Sequence, residues 1–504
     1  MKRSIWQAAA RRLELPALQR DADVDVAIIG GGITGLTVAL KLSRAGRTVA
    51  VLEAGTIGDG TTGQSTGNLY ATIGSRLSAL RRKWGEETTR EVVAARAGAI
   101  DFIESKVGEF GIDCEFARCA WHLYTPPEAL ADDALLEREL DAAIDAGLSA
   151  RLAPSAPLPF ATGPTLVIVE QAQFDPLKYV RGLASTIASE RCAVYQNTPV
   201  TRIDGEAGVV HTDRGRVSAS HIVVATHTPK GSDLANLQVA PYREYALAMR
   251  LRSADYPRGI FWSAGDRHHS IRSYRFDDNE YLIVVGERHK TGQADDTVDR
   301  HARLEAWARA FFDVATVDLR WSAQGYYSPD ELPYIGKSVG SDKVHIATGF
   351  AADGLTWGTL AGLIIGDEID GTENRYAERF RPSRLDPAKS AKKLLAEGVN
   401  VAREYAVGRF GAVPAAGEAG ELAAGEGRIV KIDDERVALS RDGEDRLHAV
   451  SAACTHMGCI VAWNAAEQTW DCPCHGSRFS ASGAVIEGPA LDALKPVRWP
   501  PTAS

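Results

Sequence analysis

Two short segments near the C-terminus constrain the fold of this 504-residue chain more than any other feature. Cys454-x-His456 and, after a gap of fifteen residues, Cys472-x-x-His475 place two thiolates and two imidazoles on two loops. Thiolates are soft ligands that suit iron, and histidine in place of two thiolates raises the potential of a two-iron cluster. The two loops can therefore hold one cluster, with both cysteines on one iron and both histidines on the other.

A zinc site is the alternative interpretation of these four side chains, because two cysteines and two histidines also suit zinc. Zinc fingers, however, usually pair Cys-x₂₋₄-Cys with His-x₃₋₅-His, and that spacing is not found here. Four of the seven cysteines fall within twenty-one residues, a clustering that favours a metal site over a distributed disulfide framework. The remaining three, Cys114, Cys119 and Cys192, are predicted to be small core residues.

A glycine-rich turn between two apolar strands provides the second constraint. The run Val26–Ile29 leads into Gly30-x-Gly32-x-x-Gly35 and a predicted helix, and a second apolar strand ends at Glu53. This strand–turn–helix–strand context is what a dinucleotide-binding motif requires. The three glycines allow the turn, the approach of the pyrophosphate and the packing of helix on strand, and the helix N-terminus attracts phosphate. The terminal acid would accept hydrogen bonds from a ribose.

The bulk composition excludes several classes of protein. A formal net charge of −9 argues against a general nucleic-acid-binding role, which needs a basic surface. The longest apolar stretch, near Ala361–Ile365, is too short for a membrane span, and residues 1–20 lack the apolar run of a secretory signal. We therefore expect a cytoplasmic protein, and the chain length suggests two to four domains.

Between the two motifs the pattern alternates helix-like and strand-like segments without an internal repeat. Helices are predicted over Glu86–Glu109 and Ala129–Ala146, and strands over Ser218–Thr226 and Tyr281–Val285. A charged helix is predicted over Pro387–Ala406.

The segment from Phe410 to Gly427 is rich in alanine, glycine and glutamate and predicts a linker. Short strands are then predicted over Arg428–Ile432, Val437–Ser440 and His448–Ala452. The last ninety or so residues therefore indicate a small all-β domain.

Residues 20 to 375 resemble the FAD-binding enzymes of the D-amino-acid oxidase superfamily, which include glycine, sarcosine and γ-glutamylputrescine oxidases. The resemblance extends beyond the glycines to six further segments: Gly60–Asn68, Phe174–Pro176, Thr198–Val200, Val223–Thr226, Asp330–Gly336 and Ala347–Gly354. In that superfamily the last segment brings backbone N–H groups and a helix N-terminus to the flavin ring, which stabilises negative charge on the reduced flavin. The resemblance implies FAD contacts from Gly30, Gly32, Ile33, Thr34, Gly35, Glu53, Ala54, Thr61, Thr62, Gly63, Gln64, Ser65, Thr66, Val200, Ala225, Thr226, Gly349, Phe350, Asp353, Gly354, Leu355 and Thr356.

The C-terminal motif resembles Rieske [2Fe-2S] domains, which implies iron ligation by Cys454, His456, Cys472 and His475. Cys459 and Cys474 are placed as in the Rieske proteins of respiratory and photosynthetic cytochrome complexes, and this implies a disulfide between them. Ser477 resembles the residue that donates a hydrogen bond to a cluster sulfide. Phe479 stands where high-potential members carry tyrosine, so we expect a potential below theirs, because hydrogen bonds to sulfur raise the potential.

The combination resembles bacterial FAD-dependent oxidoreductases with a fused C-terminal Rieske domain, as do Ser4–Trp6 and Gly286–Gly292. It implies a dehydrogenase that oxidises the C–N bond of an amine or amino acid by hydride transfer to FAD and passes electrons singly through the cluster to an external acceptor. Three alternatives remain: a reductive flavoenzyme fed through the cluster, an oxidase using oxygen, and a non-enzymatic redox sensor. The expected partners are a small-molecule substrate and an electron acceptor or donor, and a homo-oligomer is left open.

The substrate site is less constrained. Amino-acid-oxidising relatives place an arginine a few residues before the Pro-Asp of the C-terminal motif, here Pro329-Asp330, but Trp321–Ser328 contains none. This weakens an α-amino-acid substrate and leaves amines and N-methylated compounds open. Candidate site residues on the predicted strands of the substrate domain, each with a structural role as the favoured alternative, are Arg243, Tyr245, Arg272, Tyr274 and His289.

The predicted fold class is α/β. A Rossmann-like FAD-binding domain with a sheet-rich substrate domain precedes a small all-β Rieske domain at the C-terminus. The predicted boundaries are 1–378 for the FAD-dependent oxidoreductase domain (FAD-binding parts at about 20–75, 165–235 and 326–375, substrate subdomain at about 76–164 and 236–325), 379–412 for a helical linker, and 413–504 for the Rieske domain.

Overall fold

The structure is a computed structural model, and it confirms the predicted α/β class with an all-β C-terminal region. No helix within the described part of the chain is both long enough and apolar enough to span a bilayer. The residues that the structure describes are 3–127, 133–230, 235, 238–265, 268–276, 278–294, 296–384, 386–415 and 422–499.

The first sheet, here called the dinucleotide sheet, carries the glycine-rich turn. Five of its strands run parallel, and their apolar runs, such as Val49–Leu52, are buried along their length, as expected for strands covered on both faces. In spatial order its main path is Tyr334–Lys337, Val344–Thr348, Arg216–Val224, Ala22–Ile29, Val49–Leu52 and Cys192–Tyr195, with the hairpin Val200–Asp204 and Val209–Thr212 beside Arg216–Val224.

Two helices beside this sheet, Ile33–Arg44 and Gly354–Asp370, pack closely on each other, because glycines of the second helix face the first. A Cβ atom at Gly362 would lie 2.5 Å from Thr37 Cβ, and one at Gly358 would lie 2.7 Å from Thr34 Oγ1. This close packing brings the N-termini of both helices to one cavity. The described α-helices are Ile5–Ala9, Ile33–Arg44, Thr61–Gln64, Leu77–Trp84, Glu86–Phe110, Asp133–Asp145, Pro176–Ile187, Arg300–Phe311, Gly354–Asp370, Ala377–Phe380 and Pro387–Phe410.

The second sheet, here called the large sheet, has ten strands. Its central strand Ala240–Leu251 pairs antiparallel with Asn279–Lys290 on one side and Val314–Tyr327 on the other. Successive residues of a strand point to opposite faces, so the two faces of this sheet contact different parts of the protein. Its strands are, in spatial order, Phe350–Ala351, Val314–Tyr327, Ala240–Leu251, Asn279–Lys290, Ser270–Phe276, Ile260–Ser263, Ala117–Tyr124, Thr165–Gln173 and Asn68–Leu69, with Ala150–Ala153 beside Thr165–Gln173.

The C-terminal region consists of two small antiparallel sheets around a separate apolar core centred on Trp470 and Phe479. The long helix Pro387–Phe410 leads into it, and Gly408 of that helix packs against Ile460. The strands of the two sheets are Gly427–Ile432, Glu435–Arg441 and Leu447–Ser451, and Ala462–Asn464, Thr469–Asp471, Arg478–Ser480 and Val485–Glu487.

The element bounds differ from the sequence predictions by a few residues at most where they can be compared. The helix predicted over Ala129–Ala146 is Asp133–Asp145, and residues 129–132 lie outside the described part. The strand predicted over Tyr281–Val285 runs from Asn279 to Lys290, because its pairing with two neighbours continues beyond the apolar run. Much of the predicted linker before Gly427, residues 416–421, also lies outside the described residues.

Candidate functional site

A cavity of about 390 Å³ lies at the glycine-rich turn, where the dinucleotide sheet, the large sheet and the C-terminal region meet. Glycine is required there by space as well as by conformation. Gly30 has φ +108°, and a Cβ atom on Gly35 would lie 2.0 Å from the carbonyl oxygen of Gly30. The turn can therefore close only with glycine at these positions.

The polar groups at this turn suit an extended dinucleotide. The helix Ile33–Arg44 begins at the cavity without a side-chain cap from Gly32, and the N–H of Ile33 donates to Thr62 Oγ1 at 3.2 Å. Glu53 lines the cavity and accepts hydrogen bonds from the N–H groups of Gly31 (2.8 Å) and Gly55 (2.9 Å). Burial raises the pKa of Glu53, and these two bonds oppose that effect. The residues present thus fit the phosphates and ribose of FAD.

Most residues that the resemblance assigned to FAD line this cavity. They are Gly30, Gly32, Ile33, Thr34, Glu53, Ala54, Thr61, Thr62, Gln64, Ser65, Thr66, Val200, Ala225, Thr226, Phe350, Asp353, Gly354 and Leu355. Gly35 and Gly63 instead allow close backbone packing beneath the cavity, and Thr356 is buried in its helix. Gly349 lines the neighbouring cavity described below.

The N-terminal helix Ile5–Ala9 braces the loop that carries several of these residues. Trp6 donates from its indole N–H to the carbonyl oxygen of Ser65 (2.7 Å), and the hydroxyl of Ser4 donates to the carbonyl oxygen of Gly63. Both side chains are fully buried. These contacts give a structural reason for the Ser4–Trp6 segment that the sequence alone did not.

A second cavity of about 880 Å³ opens beside the first, on the same face of the large sheet. The two cavities share Tyr242, Glu244, Tyr327 and Asp353, so a ligand in the second would lie next to a flavin in the first. Burial raises the pKa of Glu244, and the guanidinium of Arg288 opposes that effect. Of these four residues the sequence analysis named only Asp353, as an FAD contact; alternation along strands of the large sheet is the signal that could have found Tyr242, Glu244 and Tyr327.

None of the five candidate substrate-site residues lines either cavity within the described residues. Arg272 donates from Nη1 to the carbonyl oxygens of Thr66 (3.0 Å) and Gly67 (2.8 Å) and so holds the loop around the first cavity. Tyr274 donates to Asp175, the N-cap of the helix Pro176–Ile187. These two therefore have structural roles.

The other three candidates, Arg243, Tyr245 and His289, lie on the opposite face of the large sheet, which is covered by the C-terminal region. The hydroxyl of Tyr245 is hydrogen bonded to His289 Nε2 at 3.2 Å and accepts from Asn464 Nδ2 at 3.4 Å. Burial lowers the pKa of His289 to about 4. Their strands were assigned correctly, but the face they occupy depends on register, which the sequence did not fix.

The four candidate iron ligands converge between two loops of the C-terminal region. The Sγ atoms of Cys454 and Cys472 are close enough to share a hydrogen bond, which lowers the pKa of Cys454 to about 7. The rings of His456 and His475 are 5.0 Å apart. Nδ1 of His475 is buried and has no hydrogen-bond partner within the described chain, as expected of a nitrogen placed for a metal. The residues present thus fit a two-iron cluster.

The predicted disulfide between Cys459 and Cys474 is confirmed, and it joins the two loops. Its sulfurs lie near Cys472, since ligand atoms of all three cysteines fall within 4.8 Å of one another. Because two of these sulfurs are consumed by the bond, only Cys472 of this group offers a thiolate. Ser477 lies beside the ligands, accepts a hydrogen bond from the N–H of Ala490 (3.1 Å) and contributes to lowering the pKa of Cys454.

The loop from Cys472 to Gly476 packs directly on the large sheet. Gln324 donates from Nε2 to the carbonyl oxygen of Gly476 (2.9 Å), and Gln293 donates to that of Pro473 (2.9 Å). A Cβ atom on Gly292 would lie 2.7 Å from the backbone nitrogen of Pro473. Gln324 also lines the first cavity, so one side chain of the large sheet contacts both that cavity and the cluster loop.

A network of buried charged side chains stabilises the interface between the large sheet and the C-terminal region. Arg478 donates from Nη1 to Glu487 (2.9 Å) and from Nε to Asp471 (3.1 Å), and Arg243 reaches Glu487 at 3.3 Å. Although burial disfavours the charged carboxylate, the two guanidinium groups hold the pKa of Glu487 at about 2. Residues 485–488 also line the first cavity, a contribution that the sequence analysis missed because it treated the two domains separately.

A dinucleotide cavity and a cysteine–histidine loop pair packed on one chain define a class: oxidoreductases with a flavin and an iron–sulfur centre. Comparison with known families agrees. Residues 25–368 match the family model for FAD dependent oxidoreductases (DAO), and residues 413–498 match that for the Rieske [2Fe-2S] domain. The chain belongs to the FAD-dependent oxidoreductase family and carries a C-terminal Rieske domain.

One relative matches nearly the whole chain, and two others match about three quarters of it. The chain is 33% identical over 497 residues, 98% of this chain and 97% of the relative, to the putative Rieske 2Fe-2S iron-sulfur protein YhfW of Bacillus subtilis. It is 24% identical to the γ-glutamylputrescine oxidoreductase of Escherichia coli, covering 74% of this chain and 90% of that one. Among solved structures, L-proline dehydrogenase from P. horikoshii shares the fold with a TM-score of 0.59 and 17% identity, covering 73% of this chain and 98% of that one.

Proposed function

We propose that this oxidoreductase is a dehydrogenase that oxidises the C–N bond of an amine or amino acid, and that its electrons leave one at a time through the Rieske centre of the same chain to an external acceptor. FAD, when bound, accepts a hydride from the substrate carbon next to nitrogen. The ligand residues proposed for the cluster are Cys454, His456, Cys472 and His475.

One observation carries the proposal. The loop that holds Cys472 and His475 packs on the large sheet, whose strands line both cavities. Gln324 lines the first cavity and also binds the cluster loop, and Tyr327 of the same strand lines both cavities. This arrangement supports transfer within one chain, without a neighbouring subunit.

The two loops that carry His456 and His475 differ in exposure, and this difference supports a direction of electron transfer. His475 is only 6% exposed and belongs to the loop against the large sheet. His456 belongs to the other loop, is half-buried, and is followed by Met457, which is 52% exposed. Electrons would thus enter on the buried side and leave on the side that a partner can reach.

The γ-glutamylputrescine oxidoreductase and L-proline dehydrogenase relatives are consistent with a C–N bond as the site of oxidation. The alternatives differ in measurable ways. A reductive flavoenzyme would take electrons through the cluster, and an oxidase would pass them from the flavin to oxygen. The docked cluster loop favours the relay over a simple oxidase, because direct re-oxidation by oxygen needs no cluster.

The test is anaerobic mixing of the holoenzyme with a panel of primary amines, N-methylated amines and amino acids. Flavin absorbance and the electron paramagnetic resonance of the cluster are followed together. The proposal expects one compound to bleach the flavin, with the signal of the reduced cluster appearing afterwards. If dithionite reduces both centres and every compound leaves the flavin oxidised, the proposed substrate class or direction is wrong.

The variant His456→Ala isolates the relay. It should abolish reduction of an external acceptor while substrate still bleaches the flavin. The control is His448→Ala, because His448 lies in the same domain, binds Asp442 at 2.8 Å and is outside both cluster loops. Release of one hydrogen peroxide per turnover in air, unchanged in His456→Ala, would show that the cluster is not an obligatory carrier.

A further inference from the structure

Two opposite charges face the second cavity from neighbouring strands of the large sheet. Glu244 lies on Ala240–Leu251, and Arg288 lies on Asn279–Lys290. No ion pair within 4 Å joins the two side chains, and both of them line the second cavity. Glu244 also lines the first cavity, which places it at the flavin end, whereas Arg288 lines only the second.

Two tyrosine rings contact the guanidinium group of Arg288. The guanidinium carbon lies 4.5 Å from the ring centre of Tyr242 and 4.2 Å from that of Tyr327. Cation–π contacts of this kind act on the charge of the group and require no hydrogen bond from its N–H donors. Within the described chain Arg288 makes no hydrogen bond or ion pair. Its fork of donors is thus available to bind a carboxylate through two parallel hydrogen bonds.

Glu244 is distinguished from the other acids of the second cavity by its lack of a partner. Asp353 accepts from the hydroxyl of Tyr70 at 2.6 Å and from the N–H of Gly74 at 3.0 Å. Arg96 also lies 3.5 Å from Asp353.

The two remaining acids at the cavity are paired as well. Glu331 forms ion pairs with Lys83 (3.4 Å) and Lys393 (2.7 Å), and Glu397 forms one with Lys290. Glu244 makes no hydrogen bond or ion pair within the described residues. Glu244 is half-buried, and a carboxylate that loses water without gaining a partner is costly, so a bound cation would remove that cost.

We propose that Glu244 binds the protonated amine of the substrate beside the flavin and that Arg288 binds a carboxylate at its other end. This inference rests on the proposed oxidation of a C–N bond and narrows the substrate to a carboxylate-bearing amine. The arginine that amino-acid-oxidising relatives carry before Pro329-Asp330 is missing from this chain. In the proposed site, Arg288 on the strand Asn279–Lys290 of the large sheet supplies the guanidinium group.

The test uses small charged probes rather than the unidentified substrate. Butyrate and butylamine are titrated separately into the oxidised holoenzyme, and the change in flavin absorbance gives each dissociation constant. A charge-assisted hydrogen-bonded contact contributes about 1.5–3 kcal/mol, which corresponds to a roughly 10- to 100-fold change. Arg288→Gln should weaken butyrate by that factor and leave butylamine unaffected or tighter. Glu244→Gln should do the reverse.

The matched controls carry the same chemical changes outside the cavity. Glu287 neighbours Arg288 but forms its ion pair with Arg303 at 2.8 Å, so Glu287→Gln and Arg303→Gln should bind both probes like the unmodified enzyme. Arg288→Lys keeps the charge without the fork and should retain only part of the butyrate affinity. Flavin content is measured for each variant, and Glu244→Ala replaces Glu244→Gln if the latter loses FAD.

Two outcomes separate this inference from the proposed function. If butyrate and butylamine bind equally well to the unmodified enzyme, Arg288→Gln and Glu244→Gln or its replacement, the two-ended site is wrong, whatever the reaction. If a carboxylate-bearing amine bleaches the flavin and reduces the cluster equally fast in the unmodified enzyme and in Arg288→Gln at subsaturating concentration, the dehydrogenase proposal stands and this inference fails. If the probes discriminate as expected but no carboxylate-bearing amine on the panel bleaches the flavin, the charge selectivity stands and the proposed oxidation fails.

Discussion

Gln324 donates a hydrogen bond of 2.9 Å to the carbonyl oxygen of Gly476, and this contact joins the large sheet directly to the cluster loop. Gln324 belongs to a strand of the large sheet that also lines the dinucleotide cavity, whereas Gly476 directly follows the ligand candidate His475. The same amide donates to the hydroxyl of Tyr326 at 2.8 Å and accepts from Thr291 at 3.0 Å. The contact is therefore held rigidly from the oxidoreductase side.

The docking of the cluster loop can be tested by adding one methyl group at Gly292. Alanine there would force the backbone of Pro473 away and would also occupy φ +72°, so we expect a loss of about 2–4 kcal/mol in stability and slower cluster reduction. Flavin reduction by substrate should keep its rate. Stopped-flow absorbance and denaturant unfolding measure these quantities.

The control for backbone strain is Gly340→Ala. Gly340 has φ +87° with no atom near its Cβ position, so only about 1 kcal/mol should be lost and cluster reduction should be unchanged. Equal effects of the two substitutions on cluster reduction would contradict the docking.

Lowering the pH should weaken the interface between the large sheet and the C-terminal region, because His289 at this interface would have to accept a proton. Burial lowers its pKa from 6.5 to about 4, so between these values the unfolded chain binds a proton that the folded chain does not. Stability is therefore full above about pH 6.5 and is lost as the pH falls towards 4, by up to about 3 kcal/mol from this residue. His289→Gln should reduce that loss, as measured by unfolding at a series of pH values. The control variant is His211→Gln, which makes the same substitution at a half-buried position of the dinucleotide sheet outside this interface.

Removal of the Cys459–Cys474 bond should destabilise the cluster loops. The bond spans 15 residues, and a closed loop of that size contributes about 3 kcal/mol by the chain-entropy estimate. We expect Cys459→Ser to lower the unfolding midpoint and the iron content per chain while FAD content stays constant. Cys119→Ser, outside the Rieske region, should leave iron content unaltered; a normal iron content in Cys459→Ser would argue against the bracing role.

Phe479 offers a direct test of how the cluster potential is set. Its ring is fully buried in the core around the cluster loops, where a tyrosine hydroxyl could donate to a ligand sulfur. One such hydrogen bond contributes about 1 kcal/mol, or roughly 40 mV for a one-electron couple. Phe479→Tyr should raise the midpoint potential by about that amount in a redox titration followed by electron paramagnetic resonance. An unchanged or lower potential would contradict this account.

Local spacing in the sequence was sufficient to predict both cofactor motifs and the α/β class. Gly30, Gly32 and Gly35 act within one turn, and Cys472-x-x-His475 acts within one loop, so their chemistry is encoded over a few neighbouring residues. The pairing of Cys459 with Cys474 was implied by the family resemblance. It joins the two loops that carry the motif.

Only the tertiary structure decided which residues face the substrate and which face the Rieske domain. Arg243 and Glu244 are adjacent in sequence, yet Arg243 pairs with Glu487 of the Rieske domain while Glu244 lines both cavities. A strand alternates its side chains between two faces, and the face that each set occupies depends on the register with distant strands. Motif spacing is a local property, whereas this partition arises from pairings between segments far apart in the chain.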